Sequence, residues 1–129
     1  MSPDSLTVLV VDDDRGWREL CVAWLAEYDV QAATDGDEAL TAIDESVNIV
    51  LFDREMPGLS GAEVAARIAT GDHDPYVVIL SSRPPDTEIA DWPIDGYVEK
   101  SASAADVRAV IDEYLAKRPT RRRPCQTPS

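Results

Sequence analysis

Four short strand-like runs in this sequence each stop at a residue able to do chemistry. The run at 6–11 ends at Asp12-Asp13-Asp14, the run at 48–52 at Asp53, the run at 76–80 at Ser81 and the run at 95–98 at Glu99-Lys100. Carboxylates brought within a few ångströms of one another repel, and without a counter-charge one of them is driven to hold a proton. A hard divalent cation removes that conflict. Mg²⁺ takes oxygen ligands in an octahedron and keeps waters, so two carboxylates and a carbonyl suit it and leave room for a phosphoryl oxygen, with Mn²⁺ as the alternative ion. A carboxylate beside such an ion can be the nucleophile that accepts a phosphoryl group. The Ser81 hydroxyl and the Lys100 ammonium would then meet the equatorial oxygens as charge develops on them. Taken singly these residues have plainer readings: a helix N-terminal acid cluster at Asp12–Asp14, a turn residue at Asp53 and a surface charge at Lys100. It is their joint placement at strand ends that favours a site.

The elements that must position them follow from periodicity. The run at 6–11 is continuously apolar and β-branched, as a strand buried on both faces requires. After Arg15 the period changes, and Trp17, Leu20, Cys21, Trp24, Leu25 and Tyr28 fall on one face of a helix reaching about Tyr28. A weaker strand at 30–34 precedes a helix from a capping box, Asp35 with Glu38, to about Ser46, burying Ala39, Leu40 and Ile43. Beyond Asp53 and the turn-rich stretch to Gly61, Ser60 and Glu63 open a third helix that buries Val64, Ala65 and Ile68 and ends by Gly71. After Ser81, Pro84-Pro85 and Pro93 leave only 86–91 for a stunted fourth helix. Ser103 is the expected cap of the last helix, with Val107, Val110, Ile111, Tyr114 and Leu115 as its stripe and Pro119 as its end. Five strands alternating with five helical patterns predict an α/β fold, a doubly wound (βα)5 unit with a parallel sheet and helices on both faces. In such sheets the functional crevice lies at the carboxyl ends of the strands, where the acids, the hydroxyl and the ammonium stand.

Composition narrows the class. A chain of 129 residues and 14.1 kDa makes one domain with a real core. Its 12 basic and 25 acidic residues give a net charge of −13. Because 119–129 holds Arg121, Arg122 and Arg123 and no acid, residues 1–118 carry 9 basic against 25 acidic residues, and a body that acidic will not grip nucleic acid by itself. No apolar stretch of about 18 residues exists to span a bilayer. Cys21 and Cys125 form neither a disulfide framework nor a metal site, which fits a reducing cytoplasm. The 16 Asp and 10 Arg against 2 Lys fit either a protein working in concentrated salt or a GC-rich genome. Residues 119–129 read as a basic, proline-rich disordered tail or linker after a domain at 1–118.

These motifs, VLVVDDD at 8–14, FDREMPGLSG at 52–61, ILSS at 79–82 and DGYVEK at 95–100, resemble the response-regulator receiver domain over nearly the whole chain. The resemblance implies a flavodoxin- or CheY-like sheet in the order 2-1-3-4-5. It makes Asp53 the phosphoacceptor and gives Mg²⁺ to Asp12, Asp13 and Asp53 with the backbone carbonyl of Glu55. Ser81 stands for the switch hydroxyl, Tyr97 for the rotameric aromatic and Lys100 for the phosphate-binding lysine. The implied partners are a sensor histidine kinase or phosphotransfer protein and a downstream output protein or domain, with no direct nucleic-acid or membrane contact. The domain would catalyse only its own phosphorylation and dephosphorylation. The Trp-rich first helix and the DREMPG loop are similar to haloarchaeal receivers.

Three positions depart from or refine that pattern. Ser101 follows Lys100 where the family usually has a proline after a cis bond. The fourth helix is short by about one turn. Glu55 and Arg83 flank the path of water to the phosphoryl group and carry opposite charges, so they are expected to pair and lengthen phosphoryl lifetime. Two rival readings remain at this point: a receiver-like binding scaffold that is never phosphorylated, and a small haloacid-dehalogenase-type hydrolase using Asp12.

Overall fold

The computed structural model describes residues 6–55, 58–84, 86–100 and 104–126, the last ten of these by backbone only. Its elements run β1 (Thr7–Val11), α1 (Arg15–Trp24), β2 (Asp29–Ala33), α2 (Gly36–Ala42), β3 (Ile49–Asp53), α3 (Gly61–Ala69), β4 (Tyr76–Ser81), a 3₁₀ turn (Ile89–Asp91), β5 (Gly96–Glu99) and α4 (Ala104–Gln126). The strands form one parallel sheet in the order β2-β1-β3-β4-β5, the order expected.

Alternation along the central strands divides the core in two. Val8 and Val10 of β1, Ile49 and Leu51 of β3, and Tyr76, Val78 and Leu80 of β4 face α1 and α4, where Cys21, Leu25, Val107, Ile111 and Tyr114 cover them. Leu9 and Val11, Val50 and Phe52, and Val77 and Ile79 face the other way, onto Ala39 of α2 and Val64, Ala65 and Ile68 of α3. Both faces of β1, β3 and β4 are thus dry, as continuous apolar runs require. The edge strands β2 and β5 stay partly exposed.

Helix ends show where local chemistry overruled periodicity. Helix α1 stops at Trp24 rather than near Tyr28, and Leu20, assigned to its buried face, is 42% exposed. The stripe that packs is Trp17, Cys21, Trp24, Leu25 and Tyr28. Helix α2 stops at Ala42 because Ile43 turns extended and Asp44 takes the Ser46 N–H and hydroxyl onto its own carboxylate. At its start the Asp35 side chain accepts from Glu38 N, but the Glu38 carboxylate reaches back to Thr34 rather than to the cap itself. The Ser60 cap is likewise one-sided, since the Glu63 side chain pairs with Arg67. The fourth helix shrinks beyond expectation to the single 3₁₀ turn. The stop expected at Pro119 is not observed. The α4 backbone continues through it and through Pro124 to Gln126, forgoing an i→i−4 hydrogen bond at each proline. The Ser103 cap and the bond between Lys100 and Ser101 lie outside the described residues.

Gly36, the first residue of α2, is where α2 meets α3. A Cβ there would stand 2.7 Å from Val64 Cγ2 and 3.1 Å from Leu59 Cβ. Gly36→Ala should therefore lower unfolding stability by about 1–3 kcal/mol in urea titrations. Gly16→Ala, whose Cβ would meet nothing nearer than 3.4 Å, should leave it unchanged or raise it.

Candidate functional site

Asp12, Asp53, Ser81 and Lys100 each sit at the end of a strand or one step past it, and the backbone ladder runs on to hold them there. Asp12 N–H donates to Ala33 O (3.1 Å), Arg54 N–H to Leu80 O (2.8 Å) and Lys100 N–H to Ser81 O (2.7 Å). Because β1 and β3 are sheet neighbours, with Val11 paired to Phe52, Asp12 and Asp53 end side by side. This is the crevice where strand order reverses.

Ligand oxygens of Asp12, Asp13 and Asp53 lie within 4.8 Å of one another, with Asp12 and Asp53 buried and Asp13 exposed. Lys100 Nζ stands 2.7 Å from Asp12 Oδ2 and 3.3 Å from Asp53 Oδ2, a single ammonium shared by two carboxylates. Asp12 Oδ1 accepts from Asp14 N–H, and Asp53 Oδ1 from Glu55 N–H at 3.1 Å. One ammonium does not offset burial of both acids. Loss of hydration, with Asp12 repulsion adding to it, pushes the Asp53 carboxyl up to about 6, against the pull of the Glu55 N–H and of Lys100. Burial works against the Lys100 charge, yet its two carboxylate partners hold the ammonium above the ordinary lysine range. An all-oxygen donor set carrying more negative charge than its one cation neutralises fits a hard divalent ion, and Asp12, Asp13 and Asp53 are the residues that would hold it.

Ser81, buried at the end of β4, accepts Arg83 N–H on its Oγ at 3.1 Å. Arg83 pairs with Glu55 at 2.6 Å, and both side chains are half-exposed. Tyr97, half-buried on β5, donates its hydroxyl to Arg83 O at 2.7 Å. The eight residues expected at the site, Asp12, Asp13, Asp53, Glu55, Ser81, Arg83, Tyr97 and Lys100, are thus joined by direct contacts or by one intermediate residue.

Sequence reasoning missed three others. Arg18 sits on the solvent-leaning side of α1 and donates to Asp12 O at 2.8 Å, clamping the backbone of the acid turn. Trp17 flanks Lys100, whose Nζ lies 5.7 Å from its ring centroid. Arg54, which carries no reading of its own in the sequence, is 5% exposed, and no periodicity marks a buried arginine in a loop. Cys21, by contrast, is inert: burial, then Asp12, pushes its thiol up to about 12.

Comparison with known proteins agrees with this geometry. The sequence profile described as "Response regulator receiver domain" matches residues 8–112. A putative transcriptional regulator of Haloferax volcanii is 37% identical over 112 residues, covering 85% of this chain and 19% of that protein. The response regulator MprA of Mycolicibacterium vanbaalenii is 35% identical over 116 residues, covering 85% and 50%. The chain spans half or less of the length of these two relatives. Among solved structures, the signal receiver domain of the putative response regulator NarL from Mycobacterium tuberculosis superposes with a TM-score of 0.78 at 28% identity, over 88% of this chain and 98% of that one. A CheY-like receiver domain protein of Methanospirillum hungatei gives the same fold at 22% identity and a TM-score of 0.78, over 91% and 98%. With the acid cluster, the hydroxyl and the lysine at the carboxyl edge of a 2-1-3-4-5 sheet, and the family profile spanning nearly all of it, the chain belongs to the response regulator receiver domains of two-component signalling systems.

Proposed function

We propose that this receiver takes a phosphoryl group onto Asp53 from a phosphohistidine of a sensor kinase or phosphotransfer protein. The observation that carries this is Lys100 Nζ within 3.3 Å of both Asp12 and Asp53, beside a buried serine at the end of the next strand. Asp53 Oδ attacks phosphorus as the P–N bond breaks, and the electron pair returns to the imidazole nitrogen of the donor. The Lys100 ammonium follows the transferred charge, and the Ser81 O–H donates to a phosphoryl oxygen. Asp12, Asp13 and Asp53, with the Glu55 carbonyl, would hold Mg²⁺ or Mn²⁺, which would supply charge neutralisation for the incoming group. The chain's chemistry is confined to its own phosphorylation and dephosphorylation. Its output is a change of surface read by a downstream protein or domain, in which Ser81 moves toward the phosphate and Tyr97 responds. Residues 119–129 serve as a link rather than as part of the site. The net charge of −13 and the Haloferax relative support a cytoplasm rich in salt as the setting.

The deciding measurement is intact mass after incubation with acetyl phosphate and Mg²⁺ in molar KCl. One phosphoryl adduct is expected in the wild type and none without Mg²⁺ or in Asp53→Asn. No adduct on folded protein would make the domain a binding scaffold, and an adduct that survives Asp53→Asn would move the chemistry to Asp12.

Two further outcomes follow from the geometry. A carboxyl whose folded pKa is raised binds its proton more tightly in the folded state, so its stabilising contribution is full below about pH 4 and is lost as pH rises through about 6. Metal-free wild type should therefore lose stability relative to Asp53→Asn between pH 4 and 7. Added Mg²⁺ should close that gap at pH 7, as urea unfolding with and without EDTA will show. The Glu55–Arg83 pair restrains the mouth of the site, and an exposed pair is worth about 0–1 kcal/mol. Arg83→Ala should speed autodephosphorylation by about two- to fivefold, measured by loss of the adduct after the donor is removed. A change smaller than twofold would remove the pair from any role in lifetime.

A further inference from the structure

Arg54 follows the phosphoacceptor directly, yet its guanidinium is turned away from the acid cluster and buried to 2% side-chain exposure. Its partners come from two other segments. Nη2 donates to both Asp86 oxygens, at 2.9 and 3.0 Å, and approaches Glu88 Oε1 at 3.5 Å. Nη1 donates to the Tyr97 hydroxyl at 3.2 Å, and the guanidinium carbon lies 5.4 Å from the Trp92 ring centroid. The Tyr97 hydroxyl donates in turn to Arg83 O. Tyr97 is therefore held through both its acceptor and its donor, by a buried cation on one side and by the loop after Ser81 on the other. Turning the ring out would leave an N–H of the buried Arg54 guanidinium without its Tyr97 partner, which is costly, and would hand the exposed Arg83 carbonyl back to water. Asp86 also caps the 3₁₀ turn, taking the Glu88 and Ile89 N–H groups at 3.2 Å. The short segment that stands in place of a fourth helix is tied to the strand of Asp53 through this one arginine.

We propose that Arg54 is a positioning residue that latches Tyr97 in its inward orientation before any phosphoryl group arrives, with Asp86 and Glu88 as the catch. The inference rests on Tyr97 being the responsive aromatic of the Asp53 site. A preset Tyr97 means that phosphorylation acts on a population already biased toward one loop arrangement, and that the bias is set by charge at 86 and 88.

The test is ¹⁹F NMR of the 3-fluorotyrosine-labelled 129-residue chain, metal-free and unphosphorylated, with Tyr97 assigned by Tyr97→Phe. Wild type should show one Tyr97 resonance with only a small H₂O/D₂O shift, as expected of a half-buried ring whose hydroxyl is held on both sides. In Arg54→Gln and, separately, in Asp86→Asn, that resonance should move toward the value of an exposed tyrosine and gain solvent-isotope sensitivity, while the resonances of Tyr76 and Tyr114 stay in place. Arg54→Lys should not restore the wild-type signal, because a single ammonium cannot bridge Asp86 and the Tyr97 hydroxyl in this geometry. An unmoved Tyr97 resonance in folded Asp86→Asn and Arg54→Gln would overturn the latch. Should Arg54→Gln unfold, Asp86→Asn carries the test alone, since Asp86 is at the surface. None of these readings needs Asp53 to be phosphorylated, so failure of the latch and failure of the phosphoacceptor assignment are seen in different experiments.

Discussion

Two carboxylates from adjacent parallel strands share one ammonium, and most of the molecule serves to bring those three groups together. Asp12 and Asp53 are neighbours because β1 and β3 pair in register. Lys100 reaches them from β5, two strands beyond β3, because its backbone is bonded to Ser81 O and its side chain extends back over the end of β4. The ammonium lowers the repulsion between the acids without abolishing it, and the remaining excess of negative charge suits the crevice to a hard cation. A fully neutralised cluster would be a structural ion pair. An uncompensated one would open the strand ends to water.

The dryness of the sheet gives that charge its strength. Both faces of β1, β3 and β4 are sealed by helices, so Asp12, Asp53 and Ser81 emerge from an apolar interior rather than from a surface loop. Burial is the first cause of the raised Asp53 carboxyl. The same low-polarity setting strengthens any interaction that the Ser81 hydroxyl and the Lys100 ammonium make there. On the side of the site facing β5, two arginines of different character organise the loops. Arg83 is half-exposed and meets Glu55 across the opening, whereas Arg54 is buried and ties Asp86, Trp92 and Tyr97 to the strand that ends at Asp53. Where the prolines leave no room for a full fourth helix, an ion-pair cluster does the anchoring.

Strand identity and sheet class were legible in the sequence because each rests on a local rule, whereas Glu55, Arg83 and Tyr97 were singled out by resemblance alone. Apolar β-branched runs make buried strands, and polar residues at their ends must lie at the sheet edge, so Asp12, Asp53, Ser81 and Lys100 could be placed before any coordinates. Helix ends were less legible. Asp44 turned α2 aside with its own side chain, Leu20 fell outside the packed stripe by a fraction of a turn, and the α4 backbone passed Pro119. Such ends are settled by competition between nearly equal hydrogen bonds, and periodicity does not rank them.

By itself the sequence determined which groups are present, their order along the chain and hence the chemistry open to them. Only the tertiary structure decided how the charges are shared: that Lys100 bridges two acids, that Arg18 clamps the Asp12 carbonyl, and that Arg54 turns inward to Asp86 and Tyr97. A buried arginine in a loop has no periodicity, since its environment is built from segments 32 and 43 residues away. Pairing of charges depends on distance in space and on loss of water, and neither quantity exists until the chain has folded.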